Sequence, residues 1–143
     1  VLRKQKKFAY FYLKPILNIC LEKNMIKLLS MDADTVIGMS IKGNVSTKDF
    51  ELVANFIREV EIHHEFLRLY VEIKDVEGFS LETLFKEFEF TLTNFHRFEK
   101  QAIVIDKKFI QYLESISNIL VASVEVQFFS FEDRCKARCW ILS

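Results

Sequence analysis

Two periodicities take turns along this chain. Apolar and polar positions alternate singly where Ile37, Met39 and Ile41 intersperse with Gly38, Ser40 and Lys42, and where Leu69, Val71 and Ile73 intersperse with Arg68, Tyr70 and Glu72. Val124, Val126 and Phe128 alternate with Glu125 and Gln127 in the same way. A period of two is that of a β-strand with one apolar face. Between these stretches the spacing lengthens to three and four: Phe50, Val53, Ala54, Ile57 and Val60; then Leu81, Leu84, Phe85, Phe88, Leu92 and Phe95; then Phe109, Leu113, Ile116 and Leu120. Ala137, Trp140 and Ile141 form a shorter stripe near the end. These are apolar helix faces.

Strand-to-helix alternation implies parallel pairing through right-handed crossovers, with ligands gathering at the carboxyl ends of the strands. The elbows are Asp75-Val76-Glu77-Gly78, Asp106 and Ser130. Ahead of them, residues 26–31 and 36–45 read as strands joined through Asp32-Ala33-Asp34-Thr35, an N-terminal β-hairpin. Ser46 with Asp49 three residues on caps the first helix; Asp106 or a neighbour caps the third, and Ser130 with Asp133 the fourth. The expected fold is therefore α/β, a mainly parallel five-stranded sheet with an N-terminal β-hairpin and about four helices.

The strands carry a further hint. A parallel strand covered on both sides is apolar throughout, and Ala102 to Ile105 meets that description, which places it centrally. Elsewhere one face is apolar and the other polar. That polar face is open to water, near an edge, or the wall of a cavity. A second helix lying over it as a lid would admit ligand by opening.

Composition narrows the class. Half of the 143 residues are apolar and fifteen are Phe, so the chain can bury a real core. Twenty basic residues balance twenty acidic ones, which argues against a nucleic-acid partner. Three cysteines, Cys20, Cys135 and Cys139, make no paired disulfide framework and suit a cytoplasmic setting. The apolar run from Phe8 to Leu21 is interrupted by Lys14-Pro15 and falls short of the roughly 20 apolar residues of a membrane span. Basic residues precede it as in a signal peptide, yet Ile19 before Cys20 does not suit cleavage. Residues 1–24 are thus expected to be an extension, or a mis-set start ahead of Met25, with the domain spanning 25–143.

The segments Ile41-Lys42-Gly43-Asn44-Val45-Ser46, Val71-Glu72-Ile73-Lys74-Asp75-Val76-Glu77-Gly78-Phe79, Phe98 to Phe109 and Ala137-Arg138-Cys139-Trp140-Ile141 follow one another in a recognisable order. In this order and spacing the chain, from Met25 to about Ile141, resembles the bacterial SpoIIAA-like family. That family is related in fold to STAS domains of anti-sigma-factor antagonists and sulfate transporters, and to CRAL-TRIO lipid carriers. The resemblance implies a small, cytoplasmic, non-enzymatic protein without cofactors, for which ligand binding and peripheral membrane association are suggested. Anti-sigma antagonists carry a phosphorylatable Ser in an Asp-Ser motif where this chain has Asp75-Val76-Glu77-Gly78-Phe79-Ser80. Ser80 is accounted for as a helix cap, and Asp75 and Glu77 repel added phosphate.

No nucleophile elbow, catalytic triad or phosphate-cradling glycine loop can be assembled, so no catalytic residue is assigned. His63 and His64, between Glu61 and Glu65, read as a solvated helix end, and Cys135 and Cys139 as free thiols; no metal site is expected. Candidate ligand-binding residues are Ser40, Tyr70 and Glu72 on the polar face, Asp75 and Glu77 at one strand end, and Asp106, Lys107 and Lys108 at the next. Phe79 and Phe90, with Lys86 and Arg97 beside them, are candidates for membrane or partner contact. The expected function is non-catalytic binding of a small apolar or amphipathic, lipid-like ligand with peripheral membrane association. The alternative is a STAS-like protein–protein regulatory module without a phospho-switch.

Overall fold

The computed structural model describes residues 26–43, 45–76, 81–86, 98–120 and 124–143. In chain order come β1 (Ile26–Leu29), β2 (Val36–Lys42), α1 (Thr47–Ile62), β3 (Leu67–Lys74), helical residues 81–86 (α2) and β4 (Phe98–Val104). Then follow α3 (Lys107–Leu120), β5 (Glu125–Phe129), a single 3₁₀ turn at Phe131–Asp133 and α4 (Arg134–Leu142).

The strands lie side by side in chain order. β1 runs antiparallel to β2, pairing Ile26 with Ile41 and Leu29 with Gly38, and the remaining pairs are parallel. The sheet is therefore mixed, mainly parallel, with the expected hairpin at one edge. β3 is its middle strand; β4, which holds Ile103 and Val104, is interior but one place over, and Ile105 has already left it. Ile105 still donates its backbone N–H to the Phe129 carbonyl at 2.9 Å. Uniform apolarity thus identified a doubly covered strand rather than the geometric centre.

β1 and β2 end earlier than their apolar patterns suggest, at Leu29 and Lys42. Gly43 turns to φ 68°, a left-handed conformation that glycine adopts without a Cβ penalty, and its N–H donates to the Lys74 carbonyl at 3.1 Å. One strand over, Asp75 also sits at positive φ, 52°, just past the end of β3. Gly38 is required for a different reason. A Cβ there would stand 2.7 Å from the Met31 side chain and 3.1 Å from the Leu29 carbonyl oxygen, so its bare backbone lets Met31 fold over the hairpin.

α1 starts as its sequence dictates. The Ser46 hydroxyl accepts from the Asp49 N–H at 3.2 Å while the Asp49 carboxylate accepts from the Ser46 N–H at 3.0 Å, a closed capping box. Phe50, Val53, Ala54, Ile57 and Val60 are all buried, and Phe56 joins them.

The two sheet faces have different covers. Ile37, Met39, Ile41, Leu69, Val71, Ile73 and Ile103 form one cluster with the apolar stripes of α1, Leu81, Leu84 and Phe85 of α2, and Leu113 of α3. Val36, Tyr70, Ala102, Val104 and Phe129 on the reverse face pack against Ala137 and Ile141 of α4, with Trp140 and Met31 at the margin. The expected lid is accordingly corrected: the described part of the second helix lies on the apolar face, and α4 covers the polar one. The physical reason is complementarity. The Leu81, Leu84 and Phe85 stripe has no polar groups to offer Tyr70 and Glu72, whereas α4 brings two arginines.

Candidate functional site

Under α4 the polar face is a closed network. The Tyr70 hydroxyl donates to Glu72 Oε1 at 2.9 Å, and both residues are buried. Arg134 Nη1 stands 3.8 Å from the same carboxylate oxygen, and Lys74 Nζ 3.7 Å from Oε2. The Arg138 guanidinium lies 5.0 Å from the Tyr70 ring centroid, a cation–π contact. Burial pushes the Tyr70 hydroxyl pKa far above its ordinary value, the hydrogen bond and negative charge of Glu72 add to this, and Arg138 pulls the other way. At the far end of α4, Arg68 donates from Nη1 to the Ile141 carbonyl at 2.8 Å and from Nε to Glu99 at 2.6 Å. Lys100 Nζ caps the Trp140 ring at 4.9 Å. Tyr70 and Glu72 therefore fasten a helix to a sheet, and among the described residues neither lines the cleft beside α4.

Beside α4 the same face stays open. Lys27 pairs in register with Ser40, and Lys42 with Lys74, so the exposed half of the polar face runs from the edge strand to β3. It forms the floor of a cleft of about 860 Å³ that wraps around the carboxyl ends of β2, β3 and β4. Ser40, Asp75, Asp106 and Lys108 line it, four of the candidate ligand-binding residues, together with Lys27, Lys42, Lys74, Phe109 and Phe131. Lys107 points elsewhere, into a shallower hollow of about 360 Å³ beside Phe128 and Ser130. Glu77 lies outside the described residues, as do Ser80, Phe79, Phe90 and Arg97. Of the membrane-contact set, Lys86 is described; it is exposed and ion-paired with Glu82 at 3.0 Å.

The charges in the cleft are unevenly committed. Asp75 pairs with Lys42 at 3.6 Å. The Asp106 carboxylate accepts from the Lys108 backbone N–H at 3.1 Å, capping α3 as its position implies. The Lys108 ammonium stands over the Phe109 ring at 5.0 Å, and that of Lys74 at 5.8 Å from the Phe131 centroid. Sequence reasoning missed Lys27, Lys42 and Lys74. The available signal was that Lys42 and Lys74 each end a strand whose carboxyl edge was already the expected site.

His64 corrects an expectation. It is buried at 7% exposure rather than solvated, while its neighbour His63 caps the end of α1. Cys135 and Cys139 are free and exposed on α4. Among the described residues no group of three His, Cys, Asp or Glu side chains could hold a metal ion, and no helix is long and apolar enough to cross a membrane.

No curated protein and no solved structure matches this chain. Among the described residues the mixed five-stranded sheet with four helices is consistent with a STAS-type α/β fold. A family model described as SpoIIAA-like matches residues 36–142, three quarters of the sequence from β2 through α4, and the chain belongs to the SpoIIAA-like family.

Proposed function

We propose that this chain is a non-catalytic, STAS-like regulatory module that works by binding a protein partner, without a phospho-switch at the elbow after β3. The observation that carries this reading is the SpoIIAA-like family match, which spans both sheet faces and the elements that cover them. The elbow supplies the negative half of the proposal. Asp75 is exposed beside Lys42, and Glu77 follows two residues later, so a phosphate nearby would meet like charge.

A second reading is favoured by the cleft: binding of a small amphipathic ligand at the carboxyl edge. Its volume falls within the roughly 300–1,000 Å³ typical of small-molecule sites.

Native mass spectrometry of the tagged full chain, purified gently from its own cells, separates the two. The leading reading expects a complex heavier than the 17.0 kDa chain by one different protein. Recovery of the chain alone, or carrying a small-molecule mass, would set that reading aside in favour of the second. A stoichiometric phosphate on Ser80 that alters the complex would overturn the absence of a switch.

A further inference from the structure

The cleft at the carboxyl edge is lined by lysine ammonium groups and aromatic rings together, and we infer that it is a binding site for an anionic amphiphile, an alkyl chain ending in a phosphate or carboxylate. This inference rests on the second reading above, and it adds the charge and shape of the ligand. Four lysines, Lys27, Lys42, Lys74 and Lys108, line the cleft against two aspartates. Both aspartates already have partners, Asp75 in the ammonium of Lys42 and Asp106 in the N–H of Lys108. Lys74 is likewise drawn to the buried Glu72. Among the described residues no carboxylate lies within ion-pair distance of Lys27 or Lys108, which leaves two ammonium groups in the cleft lining for an incoming anion.

The apolar half is supplied by Phe109 and Phe131, each half-buried, with Ile73 and Ile105 beneath. Phe131 is held by the 3₁₀ turn that leads into α4, and Phe109 by the first turn of α3. A polar head between the lysines would leave its chain along these rings. Neutral polar ligands would forgo the charge, and cationic ones would meet four lysines.

Isothermal titration calorimetry on the full chain tests this with three probes: octyl phosphate below its micelle-forming concentration, octanol, and inorganic phosphate. Octyl phosphate should bind at a single saturable site, at least about tenfold more tightly than either other probe, and more weakly as salt is raised. Lys27→Gln with Lys108→Gln should cut its affinity by about tenfold and narrow its advantage over octanol, given about three- to fivefold per exposed charge. Lys136→Gln, an exposed lysine on α4 paired with Asp133, should leave binding unchanged. Equal binding of octanol and octyl phosphate, or an undiminished double variant, would overturn the anionic site while leaving an apolar cleft. Inorganic phosphate binding as tightly as octyl phosphate would overturn the amphiphile. If none of the three probes binds, the cleft reading itself falls.

Discussion

Tyr70 shows how a residue can read one way in sequence and act another way in the fold. Flanked by Leu69 and Val71, it belongs to a polar stripe, and on that ground it reads as a candidate for ligand contact. Its hydroxyl is instead buried against Glu72, with Arg138 over its ring. The partners that bury it come from α4, at the other end of the chain, and no local pattern announces them. Removing the hydroxyl by Tyr70→Phe leaves the buried Glu72 carboxylate one donor short, at a cost of about 1–3 kcal/mol. The pH dependence gives a sharper signature. In the native state burial and Glu72 hold the Tyr70 proton far into the alkaline range, whereas an unfolded chain releases it near its ordinary value of 10.0. Above that pH the unfolded state binds fewer protons than the native one, so stability falls as pH rises, by at most about 1.4 kcal/mol per unit. The contribution is intact below that value. Urea midpoints at about pH 8 and about pH 11 should therefore converge between the native chain and Tyr70→Phe as pH rises. Parallel curves would show that Tyr70 is not the buried group described.

At the scale of elements, local signals and long-range ones part company. The capping box of Ser46 and Asp49, the hairpin through residues 32–35 and the stripe of α1 are all local, and each was legible from neighbouring residues. The alternation in β2, β3 and β5 correctly revealed a sheet with two unlike faces. It could not say what covers the polar one, because a cover is chosen by matching groups across the interface. α4 is short, and its stripe of Ala137 and Ile141 is narrow, yet both side chains are fully buried against Val104, Tyr70 and Phe129. Its arginines complete the fit. Ile141→Ala should thus cost about 2–5 kcal/mol, as for other fully buried aliphatic truncations, read as a shifted denaturant midpoint with an unchanged slope. A cost near zero would mean that α4 does not unfold with the sheet.

For the molecule as a whole, strand–helix alternation points to the carboxyl edge, and the cleft lies there. Its chemistry was hidden, because Lys27, Lys42, Lys74 and Lys108 come from β1, β2, β3 and α3, and only the mixed topology brings them to one rim. That same topology bears on the extension. Ile26 is fully buried and opens β1, pairing with Ile41, so the hairpin edge is built from residue 26 onward. The apolar face is covered by α1, α2 and α3 and the polar face by α4, all of them from residues after 46. Among the described residues both faces therefore have cover, and residues 1–24 lie outside them. Deleting residues 1–24 should leave a cooperatively folding domain whose melting temperature stays within about 5 °C of the full chain, equivalent to roughly 1 kcal/mol for a domain of this size. Calorimetry of the two chains side by side decides the matter. A fall of more than about 10 °C, or loss of a cooperative transition, would mean that the extension completes the core, and the domain boundary at residue 25 would then be wrong.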